Sequence, residues 1–149
     1  MITGDDILSF IITGEIQGIR VGMTINEVKE KLGEPEEVIG DPKAGYLMYG
    51  IVRVGYRGYS IDELALLFNK HTDISISLDY KDDGEYFEIS EHTKINEVIR
   101  LINYRGISWD CYDKNNSDYF TIRSERKVAI VFDLYDGSLF MISYLRDAI

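Results

Sequence analysis

Thr24-Ile25-Asn26-Glu27-Val28-Lys29-Glu30-Lys31-Leu32 and Lys94-Ile95-Asn96-Glu97-Val98-Ile99-Arg100-Leu101-Ile102 share the core Ile-Asn-Glu-Val, about half a chain length apart in 149 residues. Echoes at long, fixed spacing mark repeated structural units and are read before anything else. Upstream at the same offset, Ile19 answers to Ile89 and Glu15 to Glu85. Downstream, Val52-Arg53-Val54-Gly55-Tyr56 resembles Val128-Ala129-Ile130-Val131-Phe132, and each run precedes an apolar cluster, Leu64 to Phe68 and Leu139 to Ile142. The slightly longer second offset places an insertion within Asp110 to Asp118.

Local signals give each half the same plan. Thr3 can cap a first helix with apolar residues Ile7, Leu8, Ile11 and Ile12, stopped by Gly14. Thr24 and Glu27 have capping-box spacing for a second helix, with Ile25, Val28 and Leu32 on one face and Gly33-Glu34-Pro35 as its stop. Strand signals follow at Tyr46 to Tyr49, Ile51 to Tyr56, Leu64 to Phe68 and Ile74 to Tyr80, the last alternating apolar with polar residues. In the second half Ile95 to Ile102 predicts a helix. Ile107 to Tyr112, Tyr119 to Arg123, Val128 to Leu134 and Ser138 to Leu145 predict strands, with Asp136-Gly137 as a hairpin turn. The expected fold class is α+β: two tandem helix-plus-antiparallel-sheet repeats, residues 1–79 and 80–149, packed as one compact domain.

Gly22-Met23-Thr24, Glu27-Val28 and Leu32-Gly33-Glu34-Pro35, preceded by Ile19-Arg20-Val21, resemble the Gly-Met-Thr/Ser…Glu-Val…Leu-Gly-x-Pro signature of the SmpA/OmlA family. Outer-membrane assembly lipoproteins and the tandem-repeat β-lactamase inhibitory proteins share that signature. Tyr49-Gly50 and the Val-x-Val-x-Tyr strand extend the resemblance, which covers roughly half the chain. The second half keeps the helix and the last strands but lacks the Gly-Met and Leu-Gly-x-Pro elements. The resemblance implies a non-catalytic binding protein, similar to small cytoplasmic immunity proteins that block bacterial toxins. Its lipoprotein branch implies the alternative, a structural or assembly module.

Few residues offer reaction chemistry. His71 and His92 have no ligand-type neighbour at metal-site spacing. Asp79 to Gly84 starts like a calcium loop, but Lys81 stands at the third position and Ser90 where the bidentate Glu belongs. The glycines around Gly55 precede no helix that could cradle phosphate. Cys111 reads as a small hydrophobe packed on a strand rather than a nucleophile paired with His92. The expectation is therefore no catalytic residue, no metal and no cofactor.

Charge and aromatics point to a protein partner. There are 26 acidic and 16 basic residues, a net charge of −10, which disfavours nucleic acid and favours a basic partner such as a toxin domain. Eleven tyrosines, six phenylalanines and one tryptophan are available as packing or interface anchors. Aromatics beside acidic residues are the better interface candidates. The expected partner-binding residues are Asp79, Tyr80, Asp82, Asp83 and Glu85 in the turn joining the halves, with Trp109, Asp110, Tyr112 and Asp113 in the second. One cysteine, no basic stretch before an apolar run at the N-terminus and no long apolar stretch give a cytoplasmic protein with no membrane association as the expectation.

Overall fold

A computed structural model describes residues 2–69, 75–79, 86–112 and 118–145. The chain begins with α1 (Gly4–Thr13) and α2 (Ile25–Leu32), followed by β1 (Glu37–Gly40), β2 (Ala44–Tyr49), β3 (Val52–Arg57) and β4 (Ser60–Leu67). A ribbon of β5 (Ile76–Asp79) and β6 (Tyr86–Ile89) comes next, then α3 (Ile95–Tyr104). The described chain ends with β7 (Trp109–Cys111), β8 (Tyr119–Ser124), β9 (Ala129–Asp133) and β10 (Leu139–Leu145).

The helix starts follow from side-chain chemistry. Thr24 Oγ1 accepts from the Glu27 N–H at 3.1 Å, and Glu27 Oε1 accepts from the Thr24 N–H at 3.2 Å. Two orphan donors of α2 are thereby satisfied. In α3, Glu97 Oε1 accepts from the Lys94 N–H at 3.0 Å, but the Lys94 ammonium has no lone pair with which to return the bond. Backbone bonds supply what the caps do not. The Ile25 N–H reaches the Tyr59 carbonyl at 2.9 Å, and the Ile95 N–H reaches the Gly137 carbonyl at 3.1 Å. Each helix start is thus fastened to the turn of a following hairpin.

These observations correct the expected fold class. The helices are only 10, 8 and 10 residues long. Eight strands form one continuous antiparallel sheet in the order β1-β2-β3-β4-β10-β9-β8-β7. The architecture is predominantly β, not an even α+β pair of repeats. The cause lies in the two apolar runs. Leu64 to Leu67 and Met141 to Leu145 pair strand to strand, with Leu66 opposite Ile142, so the meanders fuse instead of closing separately. β5 and β6 also pair with each other, across the expected boundary at residues 79 and 80.

Alternation along the strands separates two faces. Leu47, Val52, Val54, Leu64, Leu66, Ile122, Ile130, Phe132 and Ile142 belong to one core cluster with Ile7, Phe10 and Ile11 of α1, Val28 of α2, and Val98, Leu101 and Ile102 of α3. Ile76, Leu78 and Ile89 of the ribbon join it, so helices and ribbon cover one face of the large sheet. Ile25, Leu32 and Ile95 pack at its margin. In α1 the buried face includes Phe10, while Ile12, expected inside, is half exposed. Gly4 lets α1 lie directly on β5, because a Cβ there would collide with the Cβ of Leu78.

Asp6, in the first turn of α1, carries a pH signature. Burial pushes its carboxyl up, but hydrogen bonds from Thr3 and Gln17 outweigh this and hold it below the usual aspartate range. A carboxyl depressed in the folded state contributes stability above its unfolded pKa of about 3.9 and loses it as pH falls through the folded value. The stability difference between the wild type and Asp6→Asn, read by thermal unfolding, should therefore be full above about pH 5 and should shrink progressively as pH falls below about 4, through the depressed folded value. A difference that grew with acidification would contradict the assignment.

Candidate functional site

The other face of the large sheet carries the residues of opposite parity. Ala65, Leu67 and Val131 are buried, the last two at 2 % and 8 % exposure, yet none belongs to the core cluster shared with the helices. With half-buried Met141 and the buried serine Ser143 they line the centre of this face across β4, β10 and β9. The register sets these residues side by side: Leu67 opposite Met141, Met141 opposite Val131, and Ala65 opposite Ser143.

Two arginine–aromatic stacks flank this centre. On β3, the Arg53 guanidinium lies 4.6 Å from the ring centre of Tyr46, donates from Nε to Glu63 Oε1 at 2.8 Å, and brings Nη2 within 3.9 Å of Met141 Sδ. Gly55 leaves room for this group, since a Cβ there would meet the Glu63 Cβ at 2.9 Å and the Tyr46 ring at 3.5 Å. On the far side the Arg123 guanidinium lies 3.9 Å from the ring centre of Tyr112. Asp110 stands opposite Arg123 in the β7–β8 register. From β2 to β7 the face spans roughly 30 Å at about 4.8 Å per strand, wide enough for a standard protein interface.

One end of the face is acidic and aromatic. Tyr119 and Phe140 stack with ring centres 4.7 Å apart, Phe140 turned outward by a bulge between Leu139 and Met141. Beside them the turn after β9 exposes Leu134 by half and Tyr135 by 96 %. Asp118, Tyr119 and Asp133 line a hollow with these two residues. Asp133 Oδ1 accepts from the Tyr135 N–H at 2.8 Å and fixes the turn. Asp136 is held below the usual carboxylate range mainly by its bonds from Ser138, with Lys94 assisting from 3.9 Å.

The expected interface residues are dispersed. Asp110 and Tyr112 lie on this face, with Tyr112 under Arg123. Trp109 has the opposite parity, packs at the margin of the core, and donates from Nε1 to Asn103 Oδ1 of α3 at 2.7 Å. The backbone of Asp79 ends β5 in the separate ribbon. Tyr80, Asp82, Asp83, Glu85 and Asp113 lie outside the described residues, as does His71. Cys111 is exposed, which corrects its expected packing: β7 is a three-residue edge strand with nothing described beyond it. His92 is also exposed, with Nε2 3.3 Å from Glu91 Oε1. The described residues contain no group of three or more His, Cys, Asp or Glu placed to hold a metal ion. No described helix is long and apolar enough to cross a membrane.

Sequence reasoning did not select Tyr46, Arg53, Tyr119, Leu134, Tyr135, Phe140 or Met141. Tyr135 carried a usable signal, since Asp133 and Asp136 flank it. The others are brought together only by strand pairing. No family model matches the chain, and neither a curated protein nor a solved structure does.

Proposed function

We propose that this chain is a non-catalytic binding protein that neutralises a basic partner protein, as an immunity protein blocks a toxin, and that it does so with the face of its large sheet opposite the described helices. The observation that carries the reading is the acidic and aromatic end of that face, where exposed Leu134 and Tyr135 stand with Tyr119 between Asp118 and Asp133. Tyrosine, methionine and arginine are enriched at interface centres, and desolvated aromatics provide the anchors. The net charge of −10 would speed capture of a cationic partner. The resemblance of Gly22-Met23-Thr24 through Pro35 to a family that includes inhibitory proteins supports the same reading.

The test is co-expression with a candidate toxin domain encoded in the neighbouring reading frame, followed by binding kinetics. Protection of the host, and a complex formed by the purified proteins, are expected. Tyr135→Ala should speed dissociation by roughly tenfold to thirtyfold, the effect of losing one anchor. Asp118→Lys combined with Asp133→Lys should mainly slow association at low salt, with the difference shrinking as salt rises. A complex insensitive to all three substitutions, with folding intact, would place the interface elsewhere. Absence of protection would refute the neutralising role.

A further inference from the structure

The two outer strands of the large sheet differ. β7 is three residues long, whereas β1 presents Glu37-Val38-Ile39-Gly40, all of them exposed. β1 pairs with β2 on one side, and no strand among the described residues pairs with its other side. An edge strand directs about half of its N–H and C=O groups outward, where one more strand can bond to them. The central side chains add apolar surface, since Val38 and Ile39 are 53 % and 45 % exposed. Val38 stands opposite Leu47 and Ile39 opposite Tyr46, so each face of the edge carries one apolar group.

Charge selects what can occupy this edge. Pro35 and Pro42 bound the segment, and every charge between them is acidic: Glu36, Glu37 and Asp41. Edges protected against all comers commonly carry lysine, proline or a bulge. Carboxylates of one sign act more selectively. A second copy laid antiparallel, with Val38 opposite Ile39, would set Glu36 opposite Asp41 at both ends, and like charges directly opposite are destabilising. The same carboxylates attract a cationic strand. Position by position, that strand would meet Glu36 and Glu37, then Val38 and Ile39, then Gly40 and Asp41. Its complement is two basic residues, two apolar ones and two basic ones, a pattern that reads alike in either direction.

We propose that β1 is a strand-addition site for an extended cationic segment of another protein, with that pattern laid along Glu36 to Asp41. Backbone bonds supply the affinity, and the side chains on either side of the ladder choose the sequence. β1 and the hollow at Tyr135 lie in opposite halves of the sheet, and the proposal does not depend on that hollow being an interface. The probe is acetyl-Lys-Lys-Val-Val-Lys-Lys-amide, titrated into the isotope-labelled full chain at low salt. Amide signals of residues 36–41 should shift, and their hydrogen exchange should slow. Two N-methylated forms of the peptide keep its charge and side chains but block alternate N–H donors. One form should bind at least about tenfold more weakly and the other like the parent, because only one set of amides faces β1. Val-Lys-Lys-Lys-Lys-Val, with equal charge and the wrong order, should also bind more weakly. Glu36→Lys with Glu37→Lys, at exposed positions, should weaken the parent peptide by at least about tenfold, and Val38→Thr with Ile39→Thr should weaken it while keeping residues suited to a strand. No binding at about millimolar peptide, equal behaviour of the two methylated forms, or shifts centred away from residues 36–41 would overturn the proposal. So would a dimer of the chain that protects the β1 amides without peptide.

Discussion

Phe132→Ala will cost about 3–5 kcal/mol of folding stability, the usual penalty for emptying a phenylalanine site in a packed core. Phe132 is 0 % exposed. It lies opposite Phe120 on β8, with ring centres 6.4 Å apart, and opposite Leu139 on β10. Little can collapse into the space, because backbone ladders hold both neighbouring strands at fixed spacing. Domains of this size are stable by only about 5–15 kcal/mol, so the variant will sit near the edge of folding. Urea unfolding is the check. A loss below about 1 kcal/mol would mean that this part of the sheet lacks the packing described.

Arg53→Ala will cost about 2 kcal/mol and will disrupt the sheet face opposite the described helices at the same time. The side chains of Arg53 and Glu63 are 21 % and 13 % exposed, so the pair lies between two regimes. Surface pairs are worth less than about 1 kcal/mol, whereas removing one partner of a fully buried pair costs about 3–5 kcal/mol. Loss of the guanidinium leaves the Glu63 carboxylate poorly solvated and removes the stack on Tyr46. Arg53→Leu combined with Glu63→Leu should recover much of the stability, because no unpaired charge remains. It should not restore partner binding, because the stack is still absent. A double-mutant cycle separates the effects, and equal stability of Arg53→Ala and wild type would refute the buried-pair description.

The elements readable from sequence are those whose cause is local. Thr24 with Glu27, Gly14 and Gly137 mark termini and turns through side-chain chemistry or a left-handed backbone, and each stands where expected. Ile76 and Leu78 are buried with Ser77 exposed between them, as their alternation implies. β1 was not legible: Glu37-Val38-Ile39-Gly40 is exposed throughout and is a strand only because it pairs with β2. Nor was the union of β4 with β10. Their apolar runs announce burial, but nothing in either run names the other as partner. That omission produced the wrong fold class. The site was legible only in part, for the same reason. Trp109 has acidic neighbours in the sequence, yet its strand parity matches Cys111 rather than Asp110 and Tyr112, and parity sends it toward α3.

The β4–β10 seam also sets an order of events on the ribosome. β4 emerges well before β10, with α3 and three strands of the large sheet synthesised in between. Until β10 arrives, the nascent chain holds Leu64 to Leu67 on an unpaired edge that will later be the middle of the sheet. At translation rates of about 5–20 residues per second this interval lasts some seconds, ample time for edge-to-edge association with another chain. β10 is therefore also the strand that covers this apolar edge, and the yield of folded protein should depend on how quickly that stretch leaves the exit tunnel.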